Sequence, residues 1–111
     1  MIAIGRHGSA VSAVTDAGRL REYLAETLDP SALTFVENGV HVIVLNRRGF
    51  TSEGETLEDA VEDMVHQLRE YAEDWGEHYS VAPNHQDNWA LVQMISMSSD
   101  AQLREWLIGG N

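Results

Sequence analysis

The side chains of this chain that could bind a metal or take part in catalysis are five histidines and 18 carboxylates, and the sequence has no cysteine. Glu62 and His66 are four residues apart on a predicted helix, but no HExxH pair is present, and His41 lies in a predicted strand. The serines occur in no G-x-S-x-G sequence, and no phosphate-binding loop is present. We therefore predict a protein that is not an enzyme, holds no metal or cofactor, and functions by binding.

The charges are divided unevenly along the chain. Of the 18 acidic residues, 13 follow Phe50, whereas five of the seven arginines precede it, so the second half carries the whole net charge of −11. An acidic region of this kind favours a basic partner. We therefore predict two regions. Residues 1–50 form an N-terminal head for dimerisation and candidate DNA binding, and residues 51–111 form an acidic helical region that binds a partner.

The arginines of the head are the candidate DNA contacts. If the fold brings these arginines together, and a dimer presents two such sets, they could contact the backbone phosphates of DNA. They are Arg6, Arg19, Arg21, Arg47 and Arg48. The zero net charge of the head counts against this interpretation, and ordinary surface arginines are the alternative.

The elements of the head can be derived from periodicity and turn residues. Residues 16–28 have apolar side chains at helical spacing, with Thr15 or Asp16 as the helix cap. A short strand is predicted before Val14. Asn38-Gly39 separates two runs rich in β-branched residues, which predicts an antiparallel hairpin over residues 33–45.

The acidic half is dominated by one long helix. Residues 56–75 place a continuous apolar stripe opposite an acidic face, and Thr56 is the predicted cap. Residues 88–97 could form a helix or a strand, and a helix is favoured. Ser99 and Gln102 predict a capping box for a last short helix over residues 100–108. The predicted fold class is α+β, with a small antiparallel sheet and flanking helices.

Apolar residues of the acidic half are candidate contacts with a basic partner, because aromatic and long apolar side chains often anchor interfaces. The candidates are Leu57, Val61, Met64, Leu68, Trp75, Trp89 and Trp106. The same residues could instead form the core of the domain. A chain of 111 residues buries a limited core, so we also predict a homodimer.

Residues 11–24 (VSAVTDAGRLREYL) and 33–45 (LTFVENGVHVIVL) resemble prevent-host-death (Phd/YefM-type) antitoxins. In that family a short strand leads into a helix with small residues and an L-x-x-x-L spacing, and a hairpin follows. The hairpin of this chain has the matching length and glycine position. It carries Glu37 where the family often has an arginine before the turn.

Residues 49–60 (GFTSEGETLEDA) are similar to the P-G-C-x-T-x-G-D-T-x-E-E-A passage of HicB-type antitoxins, with Arg48 and Phe50 in place of the proline and the cysteine. In those proteins strands precede the passage and a helix follows. Both resemblances imply an antitoxin of a type II toxin–antitoxin pair. Its N-terminal dimer would bind operator DNA and repress its own operon, and its acidic half would cover a small basic toxin.

Two other functions stay open from the sequence. One is a non-enzymatic dimeric structural or adaptor protein, and the other is an acidic immunity protein or nucleic-acid mimic. The chain has no cysteine, no evident signal peptide and no run of ~20 apolar residues. We therefore expect a cytoplasmic protein that does not associate with a membrane.

Overall fold

The computed structural model describes residues 16–75 and 88–109, and its architecture is α+β, which confirms the predicted fold class. The elements in chain order are α1 (Ala17–Thr27), β1 (Ala32–Glu37), β2 (Val40–Leu45), β3 (Phe50–Gly54), α2 (Leu57–Asp74), α3 (Trp89–Ser96), α4 (Asp100–Arg104) and a π-helical segment (Glu105–Gly109). The predicted strand before Val14 and the Thr15 cap lie outside the described residues.

The sheet has three antiparallel strands in the order β1-β2-β3. The predicted hairpin joins β1 and β2, and its turn residues Asn38 and Gly39 have φ angles of 55° and 80°, as a type I′ turn requires. The sequence did not predict β3. The segment 50–54 (FTSEG) is short and mostly polar, and its apolar residues do not clearly alternate. It forms a strand because it pairs with β2.

The helices follow the predicted positions closely. The long helix forms α2, and the side chain of Thr56 accepts a hydrogen bond from Asp59 N at 3.0 Å. The segment that could have been helix or strand is helical in α3. Ser99 and Gln102 form the predicted capping box before α4, although the last turns become π-helical. In the described part of the chain, none of the helices is long and apolar enough to cross a membrane.

One core joins the two predicted regions. Ile43 and Leu45 on β2 pack against the apolar face of α2, and α1, α3 and α4 each add a buried leucine. The fully or nearly fully buried apolar residues of this core are Leu24, Ile43, Leu45, Ala60, Val61, Met64, Val65, Leu68, Leu91, Met94, Ile95, Leu103 and Leu107. Any division of function at residue 50 therefore concerns the surfaces, since the core is shared.

The close packing between β3 and α2 explains why small residues occur at positions 52 and 54. The buried hydroxyl of Ser52 donates to Ala60 O at 2.8 Å, which ties the strand to the first turns of the helix. A Cβ at Gly54 would lie 2.4 Å from Ala60 N and 2.5 Å from Asp59 Cβ, so α2 can begin this close to the strand only above a glycine. Small residues at this junction thus have a packing role.

Candidate partner-binding surface

The largest group of like charges among the described residues lies on the exposed side of α2. Because α2 buries one side against the sheet, its polar residues point to solvent. We call this surface the acidic face, and it consists of Glu58, Asp59, Glu62, Glu70, Glu73 and Asp74.

Few cations compensate the acidic face. Glu62 pairs with Arg104, and the hydrogen bond to that carboxylate raises the pKa of Arg104 above its ordinary value. His66 Nε2 lies 3.5 Å from Glu70 Oε2, and both side chains are largely exposed. Within residues 16–75 and 88–109, Glu58 and Glu73 have no ion-pair partner. The acidic face therefore keeps negative charge that a basic partner could neutralise.

The apolar candidates from the sequence separate into buried and exposed groups. The structure places Val61, Met64 and Leu68 in the core, where none is more than 2% exposed. Leu57 is 36% exposed and Trp89 is 55% exposed. A partner that meets the folded chain can therefore contact the last two side chains but not the first three.

The two exposed candidates do not form one patch. Leu57 begins α2, whereas Trp89 follows Asn88, whose side-chain amide donates to Tyr71 OH at 2.7 Å near the other end of the helix. The helical rise places positions 57 and 71 roughly 20 Å apart along the axis. The acidic face spans the length between them.

The other two tryptophans are half-buried. Trp106 packs against the core, and its Nε1 donates to Leu28 O at 2.8 Å, so it connects the C-terminal segment to the end of α1. Trp75 stands at the C-terminal cap of α2. Trp106 thus has a structural role as well as its predicted role in binding.

The candidate DNA contacts are not equally available. Arg19 and Arg47 are exposed, and Arg6 lies outside the described residues. Arg21 Nε donates to Ser98 Oγ at 2.8 Å, and Arg48 Nη2 donates to Asp29 O at 3.3 Å. Arg21 and Arg48 therefore bind other parts of the fold.

The side chain of Arg48 is half-buried against other parts of the fold. Burial lowers the pKa of Arg48 below its ordinary value, the neighbouring charge of Arg47 lowers it further, and Asp29 acts in the opposite direction. The buried Nε of Arg48 has no hydrogen-bond partner among the described residues.

The four candidate arginines that the structure describes do not all come together in one patch, although Arg19 and Arg21 line the same groove. Arg48 contacts Asp29, two residues beyond the end of α1, and that end lies about 9 Å along the helix axis from position 21. Arg21 also lines a second groove of about 580 Å³ together with Glu22, Glu26 and Asp29. A phosphate in this groove would meet carboxylates as well as Arg21. The structure therefore brings no cluster of free arginines together within residues 16–75 and 88–109.

Sequence reasoning missed the role of Arg69, which lies on α2. Arg69 Nη1 donates to Ile95 O at 2.8 Å, and Nη2 donates to Ser98 O and to Asp100 Oδ1, both at 2.8 Å. Arg69 thus fixes α2 to the turn between α3 and α4. Since Arg21 holds the buried hydroxyl of Ser98, two arginines converge on this turn. The sequence signal that could have revealed this role is a single arginine within a strongly acidic helix.

The histidines show no metal-binding arrangement where the structure describes them. His41 is half-buried in β2, and His66 is exposed on α2. Among residues 16–75 and 88–109, no three His, Asp or Glu side chains are grouped so that they could hold a metal ion. The remaining histidines, His7, His78 and His85, lie outside that part.

No protein-family model matches the chain, and no curated protein matches it. Among solved structures, the chain is similar to a crystal structure from Syntrophomonas wolfei subsp. wolfei, described as the antitoxin part of a proposed toxin–antitoxin system. The TM-score is 0.69 at 17% sequence identity, and the match covers 81% of this chain and 67% of the other. At this identity the likeness establishes a shared fold.

Proposed function

We propose that this chain is the antitoxin of a type II toxin–antitoxin pair and that it neutralises a small basic toxin through the acidic face of α2. The likeness in fold to the Syntrophomonas antitoxin carries the proposal. The uncompensated carboxylates on α2 support it independently, since they supply the charge that a basic partner requires. The Phd/YefM-like and HicB-like passages belong to the same functional class.

The mechanism is competition for charge. A toxin that acts on RNA, such as a ribonuclease or a translation blocker, needs a positive surface to hold its substrate. Glu58 and Glu73 compete for that surface, and Leu57 and Trp89 supply apolar contacts at the two ends of the acidic face. Because exposed charges are screened by salt, neutralisation should weaken as ionic strength rises.

The proposal also includes a homodimer that binds operator DNA and represses its own operon. In the described part of the chain, Arg19 and Arg47 are the candidate arginines free to contact phosphate, and Arg6 is a further candidate. Arg19→Ala combined with Arg47→Ala should reduce operator affinity and the salt dependence of binding. An unchanged salt slope would remove these arginines from the interface.

Co-expression with a small basic protein encoded beside this chain tests neutralisation directly. We expect the neighbour to stop growth when expressed alone, and to be harmless and to co-purify when this chain is present. If no basic neighbour is toxic, or if none binds, the antitoxin assignment fails.

Charge reversal then tests the binding surface. Glu58→Lys with Glu73→Lys should abolish rescue of growth, because both carboxylates are exposed on the acidic face. Glu22→Lys with Glu26→Lys on α1 is the matched control. Each pair raises the formal net charge from −11 to −7, because each reversal adds two charges. Equal loss in both variants would indicate an effect of net charge and would refute the acidic face as the site.

An acidic immunity protein or nucleic-acid mimic is the second candidate. The internal bonds of Arg21 and Arg48 favour it, because they withdraw two of the candidate phosphate contacts. Tight binding to a basic enzyme without any binding to the operator region would support this candidate over an autoregulated antitoxin.

A further inference from the structure

The two edges of the sheet differ in how they are covered. At the β3 edge, Glu53 N donates to Asp63 Oδ2 at 3.2 Å, and Gln67 Nε2 donates to Thr51 O at 2.8 Å. Side chains of α2 thus satisfy two of the outward backbone groups of β3. Within residues 16–75 and 88–109, no strand or side chain covers the outer edge of β1 in this way. An uncovered edge is a template for another strand.

The hairpin determines which backbone groups of β1 point outward. A two-residue type I′ turn closes on a hydrogen-bonded pair, which here is Glu37 with Val40, and alternate residues of β1 then bond to β2. The N–H and C=O groups that point away from β2 are therefore those of Ala32, Thr34 and Val36.

The side chains of β1 are exposed on both faces of the sheet. Leu33 is 54% exposed and Phe35 is 44% exposed on the face away from α2, and Val36 is 58% exposed on the other face. β1 contains no proline and no basic residue, which are common devices against edge pairing, and its single charge is Glu37 at the end. Exposure on both faces is typical of an edge strand without its neighbour.

We propose that β1 pairs in antiparallel orientation with β1 of a second copy, with Thr34 on the two-fold axis. Thr34 then opposes the partner's Thr34, Leu33 opposes the partner's Phe35, and Ala32 opposes the partner's Val36. The result is a continuous six-stranded sheet across two copies. This inference rests on the proposed homodimer, but it does not depend on neutralisation of a toxin.

Backbone geometry selects this register. Opposed residues of an antiparallel pair share a face, and at the two-fold axis a residue opposes its own copy. The axis must therefore pass midway between two copies of the same residue. With the axis at Thr34, all the outward groups of β1 find partners. With the axis at Phe35, Ala32 has no opposing strand residue, and Leu33 opposes the partner's Glu37. The first register therefore makes more hydrogen bonds and keeps the carboxylate out of the apolar contact.

A second copy suits this edge because of the charge of the chain. Two copies with a net charge of −11 each repel one another across most of their surfaces. Residues 32–36 carry no charge and therefore form a segment along which like copies can approach. A basic partner would gain more from the acidic face of α2.

Thr34→Pro tests the edge by light scattering and sedimentation of the full chain. The proline removes the N–H on the axis but leaves the ladder with β2 intact, because that N–H points away from β2. We expect the wild type to have twice the 12.4 kDa mass of one chain and the variant to have the mass of one chain. Far-ultraviolet circular dichroism should show unchanged secondary structure in the variant.

Thr51→Pro is the matched control, since its N–H points outward at the opposite, covered edge. We expect this variant to remain a dimer. A folded Thr34→Pro variant that is still dimeric would overturn the β1 interface and leave the homodimer standing. A wild-type monomer at all concentrations would overturn both.

A charge exchange at the axis tests the register without proline. Thr34→Glu alone and Thr34→Lys alone place like charges against each other, whereas a mixture of the two variants places opposite charges together. Native mass spectrometry should show the mixed dimer favoured roughly tenfold over either homodimer. Random pairing would give a 1:2:1 ratio of the three dimers, and that ratio would refute Thr34 as the residue on the axis.

Discussion

Arg69→Met should destabilise the fold strongly. Methionine keeps the aliphatic volume but removes the donors to Ile95 O and Ser98 O, so Ser98 O loses this donor and Ile95 O keeps only backbone N–H donors such as that of Ser98. The Arg69 side chain is 32% exposed, and bonds from a charged donor contribute about 1.5–3 kcal/mol each when protected from water. Allowing for this partial exposure and for a weak contribution from the ion pair to Asp100, we expect a loss of about 3 kcal/mol.

Urea denaturation followed by tryptophan fluorescence measures this loss, and the melting temperature should fall by roughly 10–20 °C. Arg104→Met is the matched control, because Arg104 also pairs with a carboxylate but lies at the surface. We expect the control to melt close to the wild type. If Arg69→Met costs no more than Arg104→Met at equal m-values, the turn is not held by Arg69 and the reasoning is refuted.

Two further substitutions test the junction between β3 and α2. Gly54→Ala should cost about 1–3 kcal/mol, because the new Cβ would overlap the backbone of Asp59 and Ala60. Gly18→Ala is the control, because its new Cβ meets open space in α1. This control should be neutral or slightly stabilising in the same thermal melt. Ser52→Ala should cost about 0.5–1.5 kcal/mol by removing the buried hydrogen bond to Ala60 O, which keeps its helical donor, and a loss within error of zero in urea denaturation would contradict that role.

Local patterns predicted the elements whose signals are self-contained. The Asn38-Gly39 turn is specified by its two residues, because they accept positive φ angles at low cost. The length and cap of α2 follow from an unbroken apolar periodicity and from Thr56. By contrast, β3 is short and polar, and it is a strand because β2 supplies its hydrogen bonds and α2 covers its edge. Nothing within residues 50–54 carries that information.

The candidate site was harder to predict for a related reason. An amphipathic stripe has the same sequence pattern whether it packs on its own sheet or on a partner. Strand β2 and the short helices supply enough apolar surface to bury Met64 and its neighbours within the chain. The acidic face could be predicted, because charged residues opposite a buried stripe must be exposed. The internal roles of Arg21 and Arg69 depend on long-range contacts with the turn at Ser98, which the sequence does not reveal.

The burial of this stripe decides how a partner could bind. Val61, Met64 and Leu68 could reach a toxin only if α2 left the sheet, and exposing each costs about 1.5–3 kcal/mol. Together that is about 5–9 kcal/mol, which is comparable to the whole stability of a typical domain at about 5–15 kcal/mol. A partner that used these residues would have to unfold the chain, and a polar substitution there would report on folding. Reversals at the exposed Glu58 and Glu73 leave the core intact, and they therefore separate binding from stability.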